Sequence, residues 1–145
     1  MSRLQLILFP TDFSDGSAAA CSMLRTLATL SGARVHVLHV ITELTDRRRR
    51  YLPIELVEQF IAEIRKLADD DMAQHVAQHL QGLDIATEIV IGDGYEDILR
   101  RATELGADLI VLGTHGKRGL ERLLVGSTAE KVMRHSAIPV LTVRG

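Results

Sequence analysis

The chain lacks most features that would mark a secreted or nucleic-acid-binding protein. Its 145 residues include one cysteine, three prolines, no tryptophan, two tyrosines and three phenylalanines. One thiol cannot form an internal disulfide, so this composition predicts an intracellular, cytoplasmic protein. Few rings are available to stack on unpaired bases, and 17 Lys and Arg nearly balance 19 Asp and Glu. We therefore expect no nucleic acid partner.

Long apolar runs are also missing. The first apolar run, residues 6–9, ends at Pro10 and is too short for a signal peptide. No later stretch approaches the roughly 20 apolar residues that cross a bilayer, so we expect no membrane association. The length is typical of one domain, which we expect to span residues 1–145.

Short apolar runs alternate with segments of helical periodicity. The predicted strands cover residues 4–9, 35–41, 85–91, 108–112 and 139–143. The four predicted helices cover about 15–31, the stretch from Val57 to Leu80, a third segment ended by Gly106, and a last one from a cap at Ser127 to about His135. Strands separated by helices favour a parallel sheet covered on both faces. The sequence thus predicts an α/β fold, a single doubly wound, Rossmann-like five-stranded parallel sheet of order 3-2-1-4-5 with four helices.

Glycine and hydroxyl residues gather where the fourth predicted strand ends. Gly113 and Gly116 are followed, after nine residues, by Gly126, Ser127 and Thr128 at the start of the last predicted helix. Glycine lets a ligand approach the backbone, and the N–H groups of a helix N-terminus attract anions, so the pattern favours a phosphate site. Further phosphate contacts could come from three side chains of the intervening segment: His115, Lys117 and Arg118. The same residues would equally suit a turn and a helix cap.

The spacing Gly-x-x-Gly, nine residues, Gly-Ser resembles the ATP-binding signature of the universal stress protein family. Residues 10–14, 108–116 and 139–143 resemble that family as well, in the right order and across essentially the whole chain. The resemblance implies an ATP-binding protein that acts as a stress-response regulator or sensor. Efficient catalysis is not expected, because the sequence has no P-loop and no evident carboxylate placed to activate water at the γ-phosphate.

The resemblance also assigns residues of the first two loops to the nucleotide. It implies that Asp12 contacts the nucleoside, with Pro10 and Thr11 beside it, and that the backbone of Val40 lies against adenine. A carboxylate suits ribose hydroxyls and repels phosphate, which agrees with this assignment. Asp12 would equally suit a cap or turn before the first helix, and the two roles can coexist. Because a polyanion beside Asp12 needs added positive charge, we expect Mg²⁺ to accompany ATP.

Two other functions stay open on the sequence. One is an enzyme that slowly hydrolyses ATP or phosphorylates itself at Ser127 or Thr128, although a P-loop is absent. The other is a protein-interaction module without a ligand, and the regulated protein partner is unknown in every case. The predicted fifth strand, from Pro139 to Val143, leaves an open sheet edge, so we expect a homodimer through this strand, as the resemblance also implies.

Histidine and cysteine residues outside these loops suggest no metal site. Cys21 is expected in the core, as a small apolar residue of the first helix. His75 and His79 are expected on a solvated helix face. His36 and His39 are expected to find polar partners at the margin of the sheet.

Overall fold

The computed structural model describes residues 3–42, 52–114 and 125–144. Its strands are β1 (Leu6–Pro10), β2 (Arg34–Ile41), β3 (Ile85–Ile91), β4 (Leu109–Gly113) and β5 (Val140–Val143). Its helices are α1 (Asp15–Ser31), α2 (Ile54–His79), α3 (Tyr95–Leu105) and α4 (Ser127–His135). The strands are parallel and ordered β3-β2-β1-β4-β5, which confirms the predicted fold. Within the described residues, no helix combines the length and the apolar character needed to cross a bilayer.

Local capping chemistry sets the helix boundaries. Ser14 begins α1 by accepting a hydrogen bond from a first-turn N–H, and Gly32 ends the helix in the left-handed conformation. The prediction that Ser127 caps α4 was wrong. Gly126 is the cap residue, with extended backbone, and Ser127 is the first helical residue.

Two apolar layers cover the sheet, one on each face. The layer formed with α1 and α2 includes Ile7, Phe9, Leu24, Val37 and Met72. The layer formed with α3 and α4 includes Leu8, Leu38, Ile98, Ile110 and Val132. Cys21 is buried in the first layer, as expected. Burial raises the pKa of its thiol to about 11, against a smaller opposing effect of Arg25, so the thiol stays protonated at neutral pH.

An ion-pair network joins β2, β3 and α3. Glu88 accepts hydrogen bonds from His36 Nε2, at 2.7 Å, and from Arg101 Nε, at 3.0 Å. Burial by itself raises the pKa of Glu88, but these two hydrogen bonds outweigh it and hold that pKa below its ordinary value. His36 therefore has the polar partner that was expected.

The winding of the sheet reverses between β1 and β4. β2 and β3 follow on one side of β1, whereas β5 lies beyond β4 on the other side. In sheets of this kind, ligands bind beyond the carboxyl ends of the strands at such a switch point. Here those ends are Pro10 and Gly113. The loops that follow these two residues therefore frame the candidate site.

Candidate functional site

The loop after β1 is fixed to β2 by its main chain. The Thr11 N–H donates to the carbonyl oxygen of Leu38 at 2.8 Å, and His39 Nδ1 lies 2.7 Å from the carbonyl oxygen of Thr11. A carbonyl oxygen only accepts, so His39 Nδ1 carries a proton and donates it. The Thr11 hydroxyl accepts the Phe13 N–H at 3.0 Å and is hydrogen-bonded to the Ser17 hydroxyl. Thr11 is therefore buried beneath the loop with its polar groups satisfied.

Asp12 is half-buried in this loop and acts as a turn residue. Its Oδ1 accepts the Ser14 N–H at 3.0 Å, and the Ser14 hydroxyl in turn accepts the Ser17 N–H at 3.3 Å. The turn role considered from the sequence is therefore present. A carboxylate accepts several hydrogen bonds, so this role is compatible with a ribose contact as well.

Gly113 lies where the end of β4 meets the first turn of α1. A Cβ atom at this position would lie 2.4 Å from the carbonyl oxygen of Gly16 and 2.8 Å from its carbonyl carbon. These are backbone atoms of a helix, so they cannot turn aside as a flexible side chain would. Packing of β4 on α1 therefore requires glycine at position 113.

Thr114 joins the end of β4 to both β5 and α4. Its N–H donates to the carbonyl oxygen of Val143 at 3.0 Å, and its own carbonyl oxygen accepts the Gly126 N–H at 2.6 Å. The start of α4 is thereby held beside the end of β4. α4 has no side-chain cap, and Ser127 and Thr128 in its first turn are exposed. Because first-turn N–H groups have no acceptor within their own helix, those of α4 are donors at the carboxyl end of β4.

Val40 lies near the carboxyl end of β2, beyond the end of β1. Pro10, the last residue of β1, is in register with Leu38, so the Val40 backbone extends two residues further, about 7 Å. The Val40 side chain packs against the layer formed with α3 and α4. The backbone of β2 therefore forms a wall beside the loop that carries Asp12.

Four of the predicted site residues lie outside the described part of the chain: His115, Gly116, Lys117 and Arg118. The structure brings together the predicted residues of the other loops, at the carboxyl ends of β1, β2 and β4. Within the described ranges, no three His, Cys, Asp or Glu side chains are grouped so as to hold a metal ion.

His75 is buried, so the expectation of a solvated face for this residue was wrong. Its side chain is 5% exposed, and its Nε2 lies 3.7 Å from Cys21 Sγ. The His75 ring packs 5.0 Å from the His79 ring and 5.8 Å from the Phe13 ring, between centroids. Burial lowers the pKa of His75, the nearby His79 lowers it further, and the charge of Asp12 opposes both. His75 is therefore neutral at neutral pH.

Phe13 lies in the segment 10–14 that resembles the family, but no sequence pattern indicated its backbone conformation. Its φ is 64°, and it is the one non-glycine residue with positive φ in the described part of the chain. Such backbone costs about 1–3 kcal/mol and persists where the surroundings hold it, often at functional sites. The Phe13 ring lies 4.4 Å from the His39 ring, between centroids. Phenylalanine does not favour left-handed backbone, so no sequence signal announces this conformation.

Comparison with known proteins identifies the family. The model of the universal stress protein family matches residues 4–144, and this chain belongs to that family. It is 33% identical to the universal stress protein MJ0577 of Methanocaldococcus jannaschii, across 95% of this chain and 93% of that protein. The solved structure of MJ0577 has a TM-score of 0.83, with 32% identity over 97% of this chain and 96% of the other.

Two other solved structures of this fold contain adenine nucleotides. A universal stress protein in complex with cAMP has a TM-score of 0.67 and 24% identity, over 99% of this chain and 98% of the other. The universal stress protein from Archaeoglobus fulgidus in complex with dAMP has a TM-score of 0.65 and 20% identity, over 99% and 100%. At these identities the likeness establishes a shared fold.

The contact of Gly113 with α1 generates a stability prediction. Replacing Gly113 with Ala should lower the free energy of unfolding by about 3 kcal/mol, since the methyl group collides with backbone. Gly82→Ala is a suitable comparison, because its φ of 82° is strained for alanine but nothing lies within 4 Å of the added atom. That variant should lose only about 1 kcal/mol. Urea unfolding measures both, and an equal or smaller loss at Gly113 would contradict the packing argument.

The burial of His75 generates a pH prediction. The unfolded chain takes up a proton on this residue near its ordinary pKa of 6.5, and the folded chain resists it until lower pH. The free energy of unfolding should therefore fall as the pH drops through and below 6.5, and level off below the folded pKa. His75→Phe should reduce this fall, whereas His135→Phe, at an exposed position of α4, serves as the control. Identical slopes for wild type and His75→Phe would sink the prediction.

Proposed function

We propose that this chain binds an adenine nucleotide, with ATP as its ligand, at the carboxyl edge between β1 and β4. One observation carries the proposal: the start of α4, which no described side chain caps, is held at the end of β4, and the first turn of α1 packs on the same strand end. Gly16 of α1 touches Gly113, and Thr114 binds Gly126, so the two helix N-termini flank the same strand end. This edge offers donors for phosphate on one side and a carboxylate for a nucleoside on the other.

Charge sets the direction in which a nucleotide would lie. The N–H groups at the start of α4, with the hydroxyls of Ser127 and Thr128, favour the phosphates. The Asp12 carboxylate repels phosphate and suits ribose hydroxyls. The projecting backbone of Val40 provides a wall for the base. Adenine nucleotides in two proteins of the same fold support this choice of ligand.

Mg²⁺ would accompany the phosphates and not occupy a site made by protein side chains alone. Among the described residues there is no cluster of three metal-binding side chains. No side chain of the described ranges caps α4, so its first-turn N–H groups can donate to a phosphate that carries a bound cation. Mg²⁺ would offset the negative charge that ATP and Asp12 share.

The nucleotide is proposed to regulate the protein and not to be turned over efficiently. ATP-loaded and empty states would differ in their effect on a protein partner or on self-assembly, as a stress-response sensor requires. A cytoplasmic location is part of this proposal. No second function is favoured by a particular contact at the site.

Binding of ATP with Mg²⁺ can be tested by calorimetry. Gly126 has φ −60° and ψ 155°, a conformation open to any residue, so Gly126→Val should fold. Its branched side chain should nevertheless block phosphate approach and abolish binding. Ser127→Ala should weaken binding by about 1–2 kcal/mol through one lost hydrogen bond to a charged group, and the exposed Ser22→Ala is its control.

Two results would contradict the nucleotide proposal. Normal ATP affinity in a folded Gly126→Val protein would mean that the phosphate site is elsewhere. Equal affinity with Mg²⁺ and with a chelator would remove the cation from the proposal. Mass spectrometry of small molecules released from the denatured protein identifies the ligand directly.

A homodimer through β5 is also proposed. The carbonyl oxygen of Pro139 accepts a hydrogen bond from Ile110 of β4, and that of Val143 accepts one from Thr114, the residue after β4. Alternate residues of β5 therefore point their backbone groups toward β4. The backbone groups of Val140 and Thr142 then face away from β4, toward an edge that no described strand covers. β5 of a second copy could pair there across a two-fold axis.

The dimer proposal predicts a position-dependent effect of proline. Thr142→Pro removes a backbone donor that faces the second copy, so it should shift a dimer toward monomer. Because an edge strand tolerates proline where the lost N–H faces outward, this variant should still fold. Leu141→Pro removes an inward donor and should instead destabilise the fold. Sedimentation analysis and thermal unfolding separate these effects. A native protein that sediments as a monomer at high concentration would overturn the proposal.

A further inference from the structure

The left-handed backbone at Phe13 joins two hydrogen-bonded turns. Before it, the Thr11 hydroxyl accepts the Phe13 N–H. After it, Asp12 Oδ1 accepts the Ser14 N–H. Rotation of residue 13 to an ordinary negative φ would swing one peptide group relative to the other, so the two bonds could not persist together. The position of the Asp12 carboxylate therefore depends on the backbone of Phe13.

The Phe13 ring is held by two separate elements. The His39 ring of β2 lies 4.4 Å away, and that ring is itself anchored by its Nδ1–H bond to the loop. The His75 ring of α2 lies 5.8 Å away, edge-on, and stacks at 6.1 Å on the ring of Phe9. Contact on two sides opposes the rotation that would relieve the strained backbone.

We propose that Phe13 is a positioning residue for the nucleotide: clamped between His39 and His75, its ring keeps the Asp12 carboxylate in place for binding and makes affinity depend on His75. The proposal rests on the nucleotide site proposed above. In this proposal Phe13 does not itself contact the nucleotide. It acts through Asp12 and through the cap of α1.

The clamp includes the titratable group His75, which gives it a pH dependence. The polar groups that act on His75 come from α1, α2 and the loop after β1: Cys21, His79 and Asp12, with Arg25 acting on the thiol. Of these, only Asp12 would favour a charged imidazole. A proton on His75 would place a charge among Phe9, Phe13 and a neutral thiol, which favours its departure from the ring stack. Acid should therefore loosen the clamp.

The first experiment compares removal of the Phe13 ring with removal of a phenylalanine ring away from the site. We expect Phe13→Ala and Phe13→Gly to bind ATP with Mg²⁺ about tenfold more weakly than the wild type. If the fraction of molecules with the Asp12 carboxylate in place falls to about a tenth, the apparent Kd rises by the same factor. Glycine accepts the left-handed backbone, so its weakening isolates the effect of the ring. Phe60→Ala, at a half-exposed position of α2, should bind as the wild type does. Unchanged affinity in Phe13→Gly would overturn the proposal.

The second experiment is a pH profile that a purely structural role would not move. Between about pH 8 and about pH 5, wild-type affinity for ATP with Mg²⁺ should fall by more than ionisation of ATP explains. His75→Phe keeps a ring without a proton site, so its profile should be flatter. The ionisation of ATP affects both proteins equally and cancels in the comparison. If the affinities of wild type and His75→Phe change with pH in parallel, His75 is not part of the clamp.

Hydrogen exchange separates failure of the clamp from failure of the nucleotide proposal. In nucleotide-free protein, the Ser14 and Ser17 amides should exchange about tenfold faster in Phe13→Gly than in wild type, as the turn opens more often. If wild type binds no nucleotide and this difference persists, the proposed function fails and the clamp stands as a property of the loop. If exchange is unchanged, the clamp fails whatever the protein binds.

Discussion

The candidate site depends on one contact between two pieces of backbone. Gly113 at the end of β4 approaches the carbonyl group of Gly16 so closely that no side chain fits between them. This contact brings the first turn of α1 against the strand at which the winding of the sheet reverses. The adjacent residue, Thr114, then binds Gly126 and Val143. A larger residue at position 113 would separate all these parts together.

The distribution of buried polar side chains supports a rigid edge at this end of the sheet. In the described residues the buried polar side chains are Thr11, Ser17, His39, His75 and Thr114. Each lies in or beside the loops after β1 and β4, whereas the two core layers are otherwise apolar. Buried polar groups are costly unless paired. Here the Thr11 and Ser17 hydroxyls bind each other, and His39 binds the carbonyl oxygen of Thr11. His75 lies against the sulfur of Cys21. Most of these contacts hold the loop after β1 in place, and the contact between His75 and Cys21 joins α2 to α1.

The fold followed from the sequence because its signals are local and repeated. Alternating apolar runs and helical periodicity defined five strands and four helices, and Gly32 ended α1 where a left-handed residue was required. His75 was misjudged although it lies seven residues after the buried Ala68, on the core face of α2. The left-handed backbone of Phe13 had no sequence signal, and the Phe13 ring packs against rings of β2 and α2. Such distant contacts are what a local pattern cannot contain.

The N-termini of α1 and α4 flank the end of β4, and they differ in what satisfies their N–H groups. At α1 the Ser14 hydroxyl accepts a first-turn N–H, and the Asp12 carboxylate lies just before the cap, so the positive end of the dipole is already matched. At α4 the cap residue is Gly126, which supplies no side-chain acceptor. An anion is therefore favoured at α4 and disfavoured beside Asp12. This asymmetry, and not the mere presence of glycines, is the physical reason for placing phosphate at one end of the proposed ligand and a neutral sugar at the other.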